Sequence, residues 1–297
     1  MKVGKVISVP GGKGGNTAVA AGRILGKNEV GIICMLGSDS IADMQQDIFK
    51  AEGVDVSCII RHHEMLSGQA YVLVDSKGEN MIMTHRAANN GVKQQTILND
   101  NVKSAIEGSR MLIIIDPPLD AAAELASQAS KLKKTIFFSP ATLVYHGFSA
   151  LEHLLAAADY IILNEPEVCA LATTDDGPAA CDKLSAMLGG KRVVSTLGAK
   201  GSIICHSGRN EIIPTMDPSL FGLKVVSTVG AGDTFVGALA SFKLKGRTDR
   251  EAIFLANLAA TLKITKEQTR GSPTFDEIRK YAESDVMRPA YEKYRLT

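Results

Sequence analysis

Apolar residues along this chain fall into short β-rich runs separated by stretches in which they recur at helical spacing. The runs lie at 30–37 (VGIICMLG), 110–116 (RMLIIID), 135–140 (TIFFSP), 160–167 (YIILNEPE) and 193–198 (VVSTLG). Segments such as 119–134 (LDAAAELASQASKLKK) between them have a helical pattern. Strands alternating with helices need right-handed crossovers, so the pattern predicts a doubly wound α/β fold: a mostly parallel sheet flanked by helices. The stretch 67–86 (SGQAYVLVDSKGENMIMTHR) breaks the alternation, with two β segments joined by a polar turn at 75–80 and no helix between. It predicts a hairpin, either a small β lid leaving the main sheet or an antiparallel edge of that sheet. No internal repeat, low-complexity tract or linker interrupts the pattern, so residues 1–297 read as one domain.

Composition narrows the ligand class. The 33 Lys and Arg against 32 Asp and Glu leave a net charge of +1, which gives no electrostatic reason to expect a nucleic acid or an anionic membrane as partner. Small molecules are the natural ligands. No apolar run approaches the ~20 residues that span a bilayer. Cys34, Cys58, Cys169, Cys181 and Cys205 are scattered without a close pair, which fits a reducing, cytoplasmic setting.

In open parallel sheets, ligands bind beyond the carboxyl ends of the strands. Asp116, Ser139, Asn164 and Thr196 each end an apolar run, which puts polar groups along one rim, where each could equally be a helix cap or turn residue. The segment 227–246 (STVGAGDTFVGALASFKLKG) runs from a glycine-rich turn into an amphipathic helix. Gly230, Ala231 and Gly232 precede or open that helix, where unpaired N–H groups and small side chains let a phosphate approach. Asp233 then either caps the helix or serves as the base that accepts a proton from an attacking hydroxyl. A second glycine-rich turn, 10–26 (PGGKGGNTAVAAGRILG), lacks the P-loop Lys-Ser/Thr pair, and its Lys13 and Asn16 are candidates to bond a polyol. In NEPE (164–167), Asn164 and Glu167 could hold hydrated Mg²⁺, or the segment could simply be an acid-rich helix start with Pro166 in its first turn. The six histidines lack a partner motif and receive no role.

The order GGKGGN, a hairpin ending in AAN, NEPE, TLGAKG and GAGDTF resembles the ribokinase-like carbohydrate kinases, the PfkB family, over nearly the whole chain. The resemblance implies an ATP- and Mg²⁺-dependent kinase for a sugar hydroxyl, with Asp233 as base and Gly230, Ala231 and Gly232 as anion hole. Asn164 and Glu167 would organise magnesium through water, since Mg²⁺ keeps most of its hydration shell. Thr196, Gly198 and Gly201 would line the nucleotide site, with Asn257 near the adenine. Gly12, Lys13, Asn16 and Asp116 would contact the acceptor. Ribose is favoured by GGKGGN; a nucleoside or sugar-acid kinase is the alternative within the family, and a catalytically weak sugar-binding paralogue the alternative outside it. The lid would comprise about 1–10 and 67–86, with a homodimer through the lid as the candidate assembly. Two departures from the pattern stand out. The family's first strand, with its sugar-gripping Asp, has no counterpart, and Ser227 replaces the Asp that helps bind an activating monovalent cation, which puts potassium activation in question. Ser139 also stands where Asn is more usual.

Overall fold

The computed structural model describes residues 7–74 and 80–295. Its ten strands among these residues are β1 (Cys34–Leu36), β2 (Ile59–Arg61), β3 (Gln69–Val74), β4 (Asn80–His85), β5 (Met111–Ile115), β6 (Thr135–Ser139), β7 (Tyr160–Asn164), β8 (Arg192–Thr196), β9 (Ser202–His206) and β10 (Arg209–Ile213). The main sheet has six strands in the order β10-β9-β8-β7-β6-β5. Strands β5 to β8 are parallel, while β9 and β10 form an antiparallel edge.

The continuous apolar runs are explained by burial on both faces. Ile136, Phe138, Ile161, Leu163 and Val193 point into one core, shared with the Leu119–Lys131, Phe148–Ala157 and Gly177–Met187 helices. The alternate residues Phe137, Tyr160, Ile162 and Val194 point into a second core, shared with the Ala231–Leu244 and Asp249–Ile264 helices. A strand whose successive side chains face opposite ways needs apolar residues at every position to serve both cores.

The run at 30–37 behaves differently. Only β1 is regular, and it pairs with β2 in a separate two-stranded parallel sheet. Pairing is interrupted upstream, where Gly31 bridges Asp55 and the Asp55 carboxylate turns back onto the Ser57 amide and hydroxyl at 2.8 and 3.0 Å. The hairpin expected at 67–86 forms as β3 and β4, antiparallel and outside the main sheet. The sheet-edge reading is thus corrected, since the hairpin stands apart from the six-stranded sheet. Residues 1–6 of the expected lid, its turn at 75–79 and the question of the family's first strand lie outside the described residues.

Candidate active site

The Ala231–Leu244 helix is buried along most of its length, and its neighbour approaches with backbone contact at one point. A Cβ on Gly237 would lie 2.7 Å from the Thr17 carbonyl oxygen, so glycine lets the Lys13–Leu25 helix pack directly against it. That packing brings the start of one helix onto the start of the other. Asn16 Nδ2 donates to Asp233 Oδ2 at 2.7 Å, and Thr17 Oγ1 donates to the Asp233 carbonyl oxygen at 3.1 Å. No side chain caps the helix. The carboxylate of Asp233 is therefore turned across to the facing helix, and the capping alternative is not the one adopted.

The turn before this helix is built by Gly230, whose φ of 85° and tight approach to the Thr269 carbonyl leave no room for a Cβ. Ala231 spends its amide on the Thr228 carbonyl at 3.2 Å, and Thr234 donates to Gly230 at 3.0 Å. These bonds divide the roles within the turn. Gly230 shapes the turn, Ala231 closes it, and the Gly232 and Asp233 amides are not drawn into these turn bonds.

Burial pushes the Asp233 carboxyl above its ordinary value; the Asn16 bond and Lys13 oppose the rise, and Glu167 adds to it. Asn16 is itself oriented by Arg270, whose Nε donates to Asn16 Oδ1 at 3.3 Å. The Arg270 guanidinium also holds the Gly11 carbonyl at 2.7 Å and Gln45 at 2.6 Å, and it lies over the Phe49 ring. Arg270, Asn16 and Asp233 form a chain of contacts from the interior to the cleft.

Asp116, at the end of β5, is densely bonded. Arg86 Nη2 reaches its Oδ2 at 2.6 Å, Thr142 donates to its Oδ1 from hydroxyl and amide at 2.6 and 3.1 Å, and Lys13 Nζ stands 3.8 Å away. Its amide donates to the Ser139 carbonyl at 3.3 Å. The expected sugar ligand is thus also the anchor for the root of β4, so an acceptor hydroxyl must share it with Arg86. Gly12 sits before the Lys13–Leu25 helix at a φ of 91° and presents an exposed backbone beside Lys13.

Asn164 and Thr196 are neighbours at the ends of β7 and β8. Asn164 and Glu167 form a reciprocal capping box: the Glu167 amide donates to Asn164 Oδ1 at 2.8 Å, and the Asn164 amide donates to Glu167 Oε2 at 3.0 Å. The helix-start reading of NEPE is realised, yet the box engages only one Glu167 oxygen. Burial raises the Glu167 pKa, and Asp116 adds to it. Two carboxyls held up by burial, Glu167 and Asp233, with Glu167 raising Asp233 further, form an environment that a divalent cation with its own waters would relieve. The residues present therefore fit Mg²⁺ held mainly by water and phosphate. Among the described residues no three His, Cys, Asp or Glu side chains gather into a dedicated metal cage.

Gly198 opens the short Gly198–Lys200 turn after β8, and Gly201 leads into β9. Asn257, expected near the adenine, is buried among protein partners. Its side chain is 4% exposed, donates to the Ile213 carbonyl at 2.9 Å and accepts from Ser202 at 3.1 Å, so it clamps the β9–β10 edge hairpin. Arg86, Arg270 and Lys263 were not singled out by sequence. Lys263 was visible only as a lysine in an otherwise apolar helix, LANLAATLKI, and the two arginines carried no local signal.

A family model described as pfkB family carbohydrate kinase matches residues 1–275. The chain belongs to the PfkB family. As a PfkB carbohydrate kinase it is a phosphotransferase acting on a sugar hydroxyl, and kinases of this family use ATP and Mg²⁺. Its relatives include a ribokinase of Haemophilus influenzae, 30% identical over 285 residues that cover 92% of this chain and 87% of that protein. The Thermotoga maritima ribokinase structure superposes with a TM-score of 0.81 at 26% identity, covering 95% of this chain and 92% of that one. The Arabidopsis thaliana ribokinase complexed with ribose and ATP gives 0.84 at 22% identity over 96% and 93% of the two chains. The chain thus has the ribokinase-like α/β fold, a mainly parallel six-stranded sheet flanked by helices. No helix among the described residues is long and apolar enough to cross a membrane.

Proposed function

We propose that this PfkB kinase transfers the γ-phosphoryl group of ATP to a hydroxyl of ribose, giving ribose 5-phosphate. One observation carries the reading: the Asp233 carboxylate is held by Asn16 beside the free amides of a helix start, so base and anion site come from one turn. Asp233 accepts the proton of the attacking hydroxyl, while the Gly232 and Asp233 amides meet the charge that spreads over the transferring phosphoryl oxygens. Lys13, Asn16 and Asp116 orient the acceptor, with Gly12 supplying backbone. Mg²⁺, when bound near Asn164 and Glu167, neutralises phosphate charge. Thr196, Gly198 and Gly201 line the nucleotide, and Asn257 supports that wall from behind.

Ribose is preferred to a nucleoside because Lys13, Asn16, Asp116 and Arg86 are all hydrogen-bonding groups, and none offers an aromatic face for a base. The ribokinases named above support the same choice. Nucleotide turnover with Mg-ATP across ribose, other sugars, sugar acids and nucleosides tests the proposal against the Asp233→Asn variant. We expect ribose-dependent ADP release that falls by about 10²–10⁴-fold on substitution. Release with nucleosides alone, or with sugar acids alone, would transfer the assignment to them; ribose binding without release would make the chain a binding paralogue.

We also infer a homodimer through the lid. Tyr71 and Leu73 pair with Met83 and Met81 on one face of the hairpin, and all four are 42–62% exposed, an apolar face of the kind that a second copy covers. Sedimentation velocity should show a dimer, and monomer alone at micromolar concentration would end this part of the proposal. A cytoplasmic site of action fits five cysteines that are all free thiols.

A further inference from the structure

Lys263, in the last turn of the Asp249–Ile264 helix, has no exposed surface at all. A buried ammonium is costly unless something compensates it. Among the described residues no carboxylate lies within ion-pair distance of this one. Its hydrogen-bond acceptor is the backbone carbonyl of Ser227 at 3.1 Å, three residues before Gly230. The same strip of chain is fastened a second way, by the Val226 and Ser227 amides, which both donate to the Ile264 carbonyl at 2.7 and 3.1 Å. Burial pulls the Lys263 pKa down while Asp233 holds it up, and Lys263 in turn favours the charged form of Asp233. The Lys263 amine therefore sits behind the proposed phosphoryl-binding turn, held to it by the Ser227 carbonyl.

The resemblance noted above implied a monovalent cation beside residue 227. The residues present do not fit one: Ser227 brings no carboxylate, and its carbonyl oxygen already accepts from an ammonium. We propose that Lys263 is a built-in cation, a positioning residue whose ammonium holds the turn at 227–232 and charges the anion site, so that the enzyme needs no exogenous potassium. The proposal rests on the assignment of this turn to phosphoryl binding.

Two measurements on the full chain test it, and they are independent of each other. In the first, KCl replaces choline chloride at constant ionic strength during a thermal-unfolding titration. The wild-type Tm should stay flat, whereas Lys263→Met, which removes the charge at similar volume, should gain a rise in Tm with KCl or NH₄Cl. In the second, wild-type turnover should be indifferent to the same exchange, while Lys263→Met should lose about 10–100-fold in kcat, recovered in part by K⁺ or NH₄⁺. A wild-type Tm or rate that climbs with potassium overturns the proposal without any variant. So does a folded Lys263→Met with unchanged kcat. Where Lys263→Met does not fold, Lys263→Gln takes its place. Absence of turnover with every acceptor would strike the kinase assignment alone, since the thermal titration still reads the cation site.

Discussion

The two halves of the cleft are built by different means. On the acceptor side, side chains bond to side chains across large sequence distances: Asn16 to Asp233, Arg270 to Asn16, Arg86 and Thr142 to Asp116. On the proposed nucleotide side, Thr196, Gly198 and Gly201 come from a strand end and a glycine-bounded turn, and the buried amide of Asn257 is engaged by Ser202 and Ile213. A cross-linked polar network fixes the direction of each group and can discriminate among hydroxyls. A backbone wall fixes shape, which suits a donor whose recognition lies in its phosphates and a flat base.

The sharpest way to break this contrast is to remove a side chain from the network. Asn16→Ala deletes the charge-assisted bond to Asp233, worth about 1.5–3 kcal/mol, and should lower kcat by roughly 10–100-fold. The pH profile should move with it. A base must be ionised to act, the Asn16 bond favours the ionised form, and its loss raises the Asp233 pKa, so the acid limb of kcat/KM shifts to higher pH. An acid limb that stays in place would show that Asn16 does not tune the base.

The corresponding change on the other side is smaller. Gly201 holds a φ of 97° and a ψ of −130°, where a Cβ would overlap the Ile213 carbonyl and the Thr215 amide. Gly201→Ala should therefore cost about 1–3 kcal/mol of stability, seen as a lower Tm. It should raise the KM for ATP several-fold while leaving the KM for the acceptor unchanged. A change confined to the acceptor KM would mean that the two halves are not separable.

The same contrast explains what could be read from sequence. Asp116, Asn164 and Thr196 were legible because an apolar run that ends in a polar residue marks the carboxyl end of a buried strand. The turn at 230–233 was legible because small residues directly before an amphipathic helix have few other uses. The details within it were not, since only coordinates show that Ala231 closes the turn and leaves Gly232 and Asp233 to donate. Arg270 acts on a residue 254 positions away, a distance over which no local periodicity speaks. Lys263 was hidden by a sound rule: a lysine in the last turn of a helix ordinarily faces water and complements the dipole. The run at 30–37 carried a strand pattern, but pattern alone did not reveal that its regular pairing would be confined to Cys34–Leu36, with a lone bridge upstream at Gly31.

Both feet of the β3–β4 hairpin are pinned to the body. Ser67 gives its amide and hydroxyl to the Asp39 carboxylate, each at 2.7 Å, and Arg86 grips Asp116. These two anchors bracket the hairpin at both ends, which makes it a cassette. A designer seeking a different acceptor could exchange 68–85 as a unit between two fixed staples, keeping the base, its Asn16 partner and the nucleotide wall untouched.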